Sequence, residues 1–319
     1  AKDKVVILGG GYGSSETFAI AGVAQANGIP FLVNTGAADK ITEPEAFGIT
    51  KKEDYDKFMI FRLNPPVSEY ANGLETFLAE IIKPKSVAIL YENTLFGTSG
   101  SKEFEKSSKD LGIEVLMKEG YEHGAVDFKP LLMKVKSGKP DIVYMLSYIM
   151  DASLLMKQAM ELKLTPKLFV GAAAGFTLPE FSENAGKASE KVISATLWHE
   201  LLPLPGAKEY FDNFVKRYGK PTEYHGAEAY AAMYVIADVL KRATSLSPEG
   251  ITKALATTDM MTVFGPVKFT SYEKKINQNK MTTYVVQWIN GKLELIWPKE
   301  LSKTKYVYPV NWLKEGGLE

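Results

Sequence analysis

The chain has 319 residues, 45% of them hydrophobic and 24% charged, a balance that excludes disorder and leaves room for two separate cores. Thirty-eight basic residues match thirty-eight acidic ones, with no block of five or more like charges, so nucleic acid and anionic membrane surfaces are poor partners. Cysteine is absent, which removes disulfides, thiolate catalysis and cysteine metal sites. His123, His199 and His225 belong to no local metal-binding spacing, so no metal site is expected; zinc or a catalytic triad would have to be assembled wholly by the fold. No apolar run reaches the roughly 18 residues of a membrane span. Ala1 to Lys4 leads straight into an apolar run with no signal-peptide pattern, so any export signal is expected to have been removed.

Val5-Val6-Ile7-Leu8 reads as a strand that runs into Gly9-Gly10-Gly11-Tyr12-Gly13, then Ser14, Ser15 and Glu16, with a helix pattern over residues 17–27. Backbone N–H groups of a helix N-terminus then open onto a glycine-floored surface, which makes a seat for a small anion. A carboxylate or phosphate there gains roughly 0.3 to 2 kcal/mol from the helix dipole, plus charge-assisted hydrogen bonds. Plain helix capping by a serine, with Glu16 in the first turn, accounts for part of this pattern; it does not ask for the preceding glycines.

Residues 31–34, 86–91, 113–118, 142–146, 168–170 and 192–196 read as further strands. Residues 67–82, 100–111, 128–137 and 150–163 carry the i, i+3, i+4 spacing of helices between them. Runs such as Val87-Ala88-Ile89-Leu90 are continuously apolar, as parallel strands covered on both faces require. Gly28-Ile29-Pro30 and Ile82-Lys83-Pro84-Lys85 punctuate helix and strand. After Trp198 the texture changes: Pro203-Leu204-Pro205-Gly206 is a stiff connector, followed by helices over residues 207–218, 226–243 and 247–257. Residues 264–269, 282–289 and 292–296 read as late strands, the last two a hairpin turning on Asn290-Gly291 in a type I′ turn.

Taken in order, Gly13-Ser14-Ser15-Glu16-Thr17, Gly28-Ile29-Pro30 to Ala38 with Ile41-Thr42, Phe61-Arg62-Leu63, the 87–91 strand with Phe96-Gly97, Asp127-Phe128, Pro140-Asp141-Ile142-Val143, Gln158-Ala159, Phe264-Gly265-Pro266-Val267 and Gln287-Trp288 carry a resemblance over nearly the whole chain. The sequence resembles the leucine/isoleucine/valine-binding (type I) family of periplasmic solute-binding proteins of ABC importers. That resemblance implies an α/β fold of two lobes, each a mainly parallel sheet flanked by helices, joined by a three-strand hinge, with ligand held in the cleft as the lobes close. Residues 1–62 and 199–270 would form the first, carboxylate-binding lobe, and residues 63–198 and 271–319 the second, closing one; residues 61–63, 197–199 and 269–271 would be the hinge strands. In the family another strand–helix–strand–helix portion precedes the position of Val5, on the order of 60 to 70 residues at about thirty per βα unit. The first lobe is therefore expected to be incomplete at its N-terminus, as a fragment of a longer chain, since a bare sheet edge would otherwise need a partner.

The resemblance also implies site residues. Ser15 and Thr17, with the backbone of Ser14, match positions that hold the ligand carboxylate, and the backbone of Gly36, Ala37 and Ala38 a second contact; capping and a tight turn are the structural alternatives. Phe96 and Tyr148 match aromatics that cover the ligand from the second lobe, at the carboxyl ends of strands, and Trp198 would form a cleft wall. One departure bears on the ligand. Members that bind amino acids place an acid after the strand matching Phe169-Val170-Gly171 to pair with the α-ammonium; here Ala172-Ala173-Ala174-Gly175-Phe176 stands there, with Ala173 lining a larger, apolar site. Either another acid, such as Asp151 or Glu228, supplies the charge, or the ligand is a bulkier aromatic or aliphatic acid without an ammonium. The expected protein is thus a periplasmic or extracellular binding component that delivers a small carboxylate to a membrane permease, with no enzymatic activity and no cofactor. A ligand-sensing receptor domain of the same fold is the alternative. A nucleotide-cofactor oxidoreductase is disfavoured because the third glycine of a Gly-x-Gly-x-x-Gly turn is misplaced at Gly13, and the strand ending at Asn34 lacks the ribose-binding acid.

Overall fold

The computed structural model describes residues 4–315, so residues 1–3 and 316–319 lie outside it. In chain order the elements are β1 (Leu8–Gly10), α1 (Ser14–Ala26), β2 (Phe31–Val33), β3 (Ile60–Arg62), α2 (Asn72–Phe77), β4 (Ser86–Glu92), α3 (Leu95–Asp110), β5 (Glu114–Tyr121), α4 (Lys129–Gly138), β6 (Ile142–Leu146), α5 (Ile149–Glu161), β7 (Leu168–Gly171), α6 (Pro179–Ala185) and β8 (Ile193–Thr196). There follow α7 (Ala207–Tyr218), α8 (Tyr224–Arg242), α9 (Pro248–Ala256), β9 (Asp259–Thr262), β10 (Gly265–Tyr272), β11 (Lys275–Asn279), β12 (Tyr284–Ile289), β13 (Lys292–Trp297) and α10 (Trp312–Glu315). The chain divides into two compact units, Ala1–Val67 with Leu202–Met281 and Ser68–Leu201 with Thr282–Glu319. The boundaries lie later than the sequence reading placed them, chiefly because β11 pairs with β3 and β10 and so keeps the chain in the first unit to Met281.

The first unit is built on the sheet β1-β2-β3-β11-β10-β9. β1, β2, β3 and β11 run parallel, and β10 is antiparallel to both its neighbours. Phe31, Leu32 and Val33 are fully buried, as a strand covered on both faces demands. The first strand differs from expectation. Residues 5–7 are not extended in the sheet; the paired residues are Leu8, Gly9 and Gly10, and Val5 is exposed. β1 lies at the sheet edge and pairs on one side only, with β2. β11 was not anticipated, because Asn277, Gln278 and Asn279 give it no apolar pattern. Gln278 instead buries its amide against Arg62, Asn64 and Asn279, so polar side chains hold the strand beside β3.

The second unit carries the sheet β13-β12-β8-β7-β6-β4-β5, with β5, β4, β6, β7 and β8 parallel and β12 and β13 antiparallel at one side. The β12–β13 hairpin turns at Asn290 (φ 53°) and Gly291 (φ 70°), the pair of positive dihedrals a type I′ turn needs. The single helix expected over residues 67–82 is broken into a 3-10 turn (Val67–Glu69), α2 and a π turn (Leu78–Ile82) that stops at Lys83. Inside it Gly73 lies so close to the chain entering β12 that a Cβ would sit 2.3 Å from the Thr283 carbonyl oxygen.

Candidate functional site

In the first unit the turn after β1 delivers the chain to α1 with Gly13, which has no side chain to cap with, at the N-cap. Ser14, the first helical residue, is buried and its Oγ accepts the backbone N–H groups of Ala37 (3.2 Å) and Ala38 (3.1 Å) from the loop after β2. The other side of that loop is held by the buried guanidinium of Arg62, which donates to the carbonyls of Gly36 (3.3 Å) and Ala38 (2.7 Å), to Thr42 and to Gln278. A loop gripped through its N–H groups on one side and its carbonyls on the other is preorganised against α1. The structure therefore brings Ser14, Thr17, Gly36, Ala37 and Ala38 together, with the N–H groups of Ala37 and Ala38 committed to Ser14. Ser15 is exposed in the first turn.

The glycines have a second explanation. Thr17 is fully buried between Gly11 and Gly36: a Cβ on Gly11 would lie 2.7 Å from the Thr17 hydroxyl, and one on Gly36 2.6 Å. Gly11 also sits at φ 95°. Gly11 and Gly36 are thus required by packing of Thr17, whose Oγ1 has no hydrogen-bond partner among the described residues.

Glu228 on α8 is 0% exposed. The Thr35 hydroxyl donates to its Oε1, its Oε2 has no partner among the described residues, and burial pushes its carboxyl well above the usual range. Burial therefore disfavours its charged form.

In the second unit the sequence-indicated aromatics gather at the carboxyl ends of the parallel strands. Phe96, in the first turn of α3, is buried, with its ring 5.5 Å from Tyr148 and 6.3 Å from Tyr70. The glycine that follows has a structural reason: a Cβ on Gly97 would lie 2.0 Å from the Glu92 carbonyl oxygen, while the buried Glu92 carboxylate accepts the N–H groups of Thr94 and Gly97. Tyr148 is half-buried at the N-cap of α5. Ala173 is buried at φ 54°, ψ −132° with its N–H on Ser194 Oγ, and a Cβ on Gly175 would lie 2.5 Å from the Tyr148 carbonyl carbon. An L-residue at such dihedrals costs on the order of 1–3 kcal/mol, a strain that gathers at functional loops. Trp198 is buried, its carbonyl accepting the Thr196 hydroxyl. Phe176 packs on Phe181, and its carbonyl accepts the Trp288 indole N–H.

Sequence reasoning passed over His123. It lies two residues beyond β5, its Nδ1 is 2.7 Å from Asp151 Oδ2, and its ring packs 5.3 Å from Tyr148. Asp151 is 28 residues away in the chain, so no spacing pattern linked them. Asp151 also accepts the Gly124 N–H with both oxygens. Both acids named for an ammonium are already engaged: Asp151 pairs with His123 and accepts the Gly124 N–H, and Glu228 is fully buried, accepts the Thr35 hydroxyl and has its carboxyl pushed up by burial. Among the described residues no cluster of His, Asp or Glu has the makings of a metal site, and no helix is long and apolar enough to cross a membrane.

The family model described as "Periplasmic binding protein" matches residues 1–292. Among curated proteins, Leu/Ile/Val-binding protein homolog 7 of Brucella melitensis biotype 1 is 25% identical over 310 residues, covering 93% of this chain and 75% of that protein. Leu/Ile/Val-binding protein homolog 8 of Brucella abortus is 27% identical over 314 residues, covering 93% and 74%. Among solved structures, a leucine binding protein LivK from Thermotoga maritima superposes with a TM-score of 0.81 at 22% identity, over 92% of this chain and 80% of that one. A solute-binding protein of an ABC transporter from R. palustris in complex with benzoate superposes with a TM-score of 0.78 at 18% identity, over 92% and 78%. The two-sheet α/β architecture is shared with both structures.

Proposed function

The chain belongs to the periplasmic binding protein family, and from that premise we propose that it is the extracytoplasmic solute-binding component of an ABC importer, binding a small carboxylate-bearing ligand. As a member of that family it is a binding protein rather than an enzyme. The observation that carries the carboxylate is the N-terminus of α1, which starts at the N-cap Gly13 and presents the exposed Ser15 beside the loop clamped by Ser14 and Arg62. The Ser15 hydroxyl and the first-turn N–H groups take the carboxylate, and Gly36, Ala37 and Ala38 supply the backbone against which it lies. Thr17 supports this surface from below. Phe96, Tyr148, Ala173 and Trp198 are the proposed contacts for the ligand's body, and the liganded form is what a membrane permease reads.

The acids favour a ligand without an ammonium. An unpaired ammonium taken out of water costs several kcal/mol, and Asp151 and Glu228 are both engaged as described. An aromatic or aliphatic acid therefore fits better than a branched-chain amino acid, although both kinds of ligand occur among similar proteins: isoleucine with LivJ of Streptococcus pneumoniae and benzoate with the R. palustris protein. Thermal-shift screening of benzoate-like and aliphatic acids against leucine, isoleucine and valine tests the reading. A rise in melting temperature with the acids supports it, since a ligand held only by the folded state raises stability. Tight binding of the amino acids alone overturns the ammonium-free assignment.

A further inference from the structure

Asp151 is 1% exposed and carries the one imidazole that reaches it, His123, whose side chain is 46% exposed. That asymmetry is a design of recognisable use. A buried carboxylate accepts Nδ1–H, fixes the ring's tautomer and orientation, and leaves Nε2 as the ring's second polar atom. The backbone is fixed as well: the His123 N–H donates to Asn93 Oδ1 at 3.3 Å, and the Gly124 N–H donates to both Asp151 oxygens. On its flank the ring meets Tyr148 edge-on, and Tyr148 in turn meets Phe96. The result is an aromatic wall with a single oriented imidazole at its margin, at the carboxyl ends of β4, β5 and β6, where open parallel sheets present their ligand-contacting residues.

We propose that His123, positioned by Asp151, is the specificity-determining residue of the second unit, its Nε2 reading a hydroxyl group on the ligand's body. This rests on the carboxylate-binding reading above and adds to it the substrate class: an acid whose apolar body bears a hydroxyl. A hydroxyl suits the position because it can donate to Nε2 of the neutral ring and accept from Nε2–H of the imidazolium. Asp151 acts through His123 and is a positioning residue.

The test is calorimetric titration of the full chain with two matched pairs, 4-hydroxybenzoate with benzoate and tyrosine with phenylalanine, and with leucine as a fifth probe. The wild-type protein is expected to bind the hydroxylated member of a pair about tenfold tighter, the scale of a hydrogen bond to an oriented polar group. His123→Phe, which keeps an aromatic edge against Tyr148, should bring that ratio towards one. Asp151→Asn, which removes the charge that sets the tautomer, should lower it part of the way. Pairs bound without preference by the wild type, or a preference that survives in His123→Phe, overturn the proposal while leaving the carboxylate reading intact, as does binding of leucine alone. Failure of all five probes overturns both.

Discussion

Thr17 and its two glycine neighbours show how a residue-level signal acquires two meanings. The glycines before α1 first read as the floor of an anion seat, yet Gly11 and Gly36 are also where a Cβ would strike the Thr17 side chain. Gly36→Ala is expected to lower stability by about 1–3 kcal/mol through overpacking, and the loss should shrink in a Thr17→Ala background. A double-mutant cycle in urea reads this directly; additive losses would mean that the two residues do not compete for the same space. Glu228 gives a prediction of opposite kind. Its carboxyl is held well above the usual value by burial, so the folded state keeps a proton that the unfolded chain releases above about pH 4.3. The stabilising contribution of the neutral acid is fully present below that value and declines as pH rises through the folded pKa. Glu228→Gln keeps an acceptor for Thr35 and has no proton to lose. Relative to wild type it should gain stability as pH rises above about 4.3, read in urea midpoints; a constant difference would show that Glu228 does not titrate abnormally.

At the scale of elements, legibility followed the physics of burial. β6 and α7 were read to the residue because their apolar periodicity is uninterrupted, and the Asn290-Gly291 turn because both residues adopt positive φ. Gly291→Ala should cost about 1 kcal/mol by forcing an alanine into the left-handed region, measured as a shift in urea midpoint. The same turn is tied down by Glu190, which accepts the N–H groups of Asn290 (2.9 Å) and Gly291 (2.5 Å). β11 was invisible because its cohesion is polar, made of the Gln278 and Asn279 amides, and hydropathy carries no record of such bonds. The joint between α1 and the loop after β2 was equally hidden. Ser14→Ala leaves two N–H groups without their acceptor and is expected to cost about 2–4 kcal/mol in thermal or urea unfolding.

For the whole molecule, the order of the matching blocks was enough to identify the family and the two-sheet α/β class, because each βα unit keeps its own punctuation. What the order could not convey was which side chains meet across long stretches of chain. Arg62 reaches the Gly36 and Ala38 carbonyls, and Asp151 reaches His123, through contacts that only the folded sheet creates. The sequence-indicated site residues fall at the carboxyl ends of parallel strands in each unit, as open sheets dictate. Chemistry at those ends is set by loops, and loops carry little periodicity.

The central claim is that the N-terminus of α1, with Ser15, holds a negatively charged head group. The most direct measurement is calorimetric titration with the acid that raises the melting temperature most and with its primary amide, nearly the same in shape but uncharged. The account predicts at least about tenfold weaker binding of the amide, the loss expected when a charge-assisted hydrogen bond becomes a neutral one. Amide and acid binding with equal affinity would contradict it.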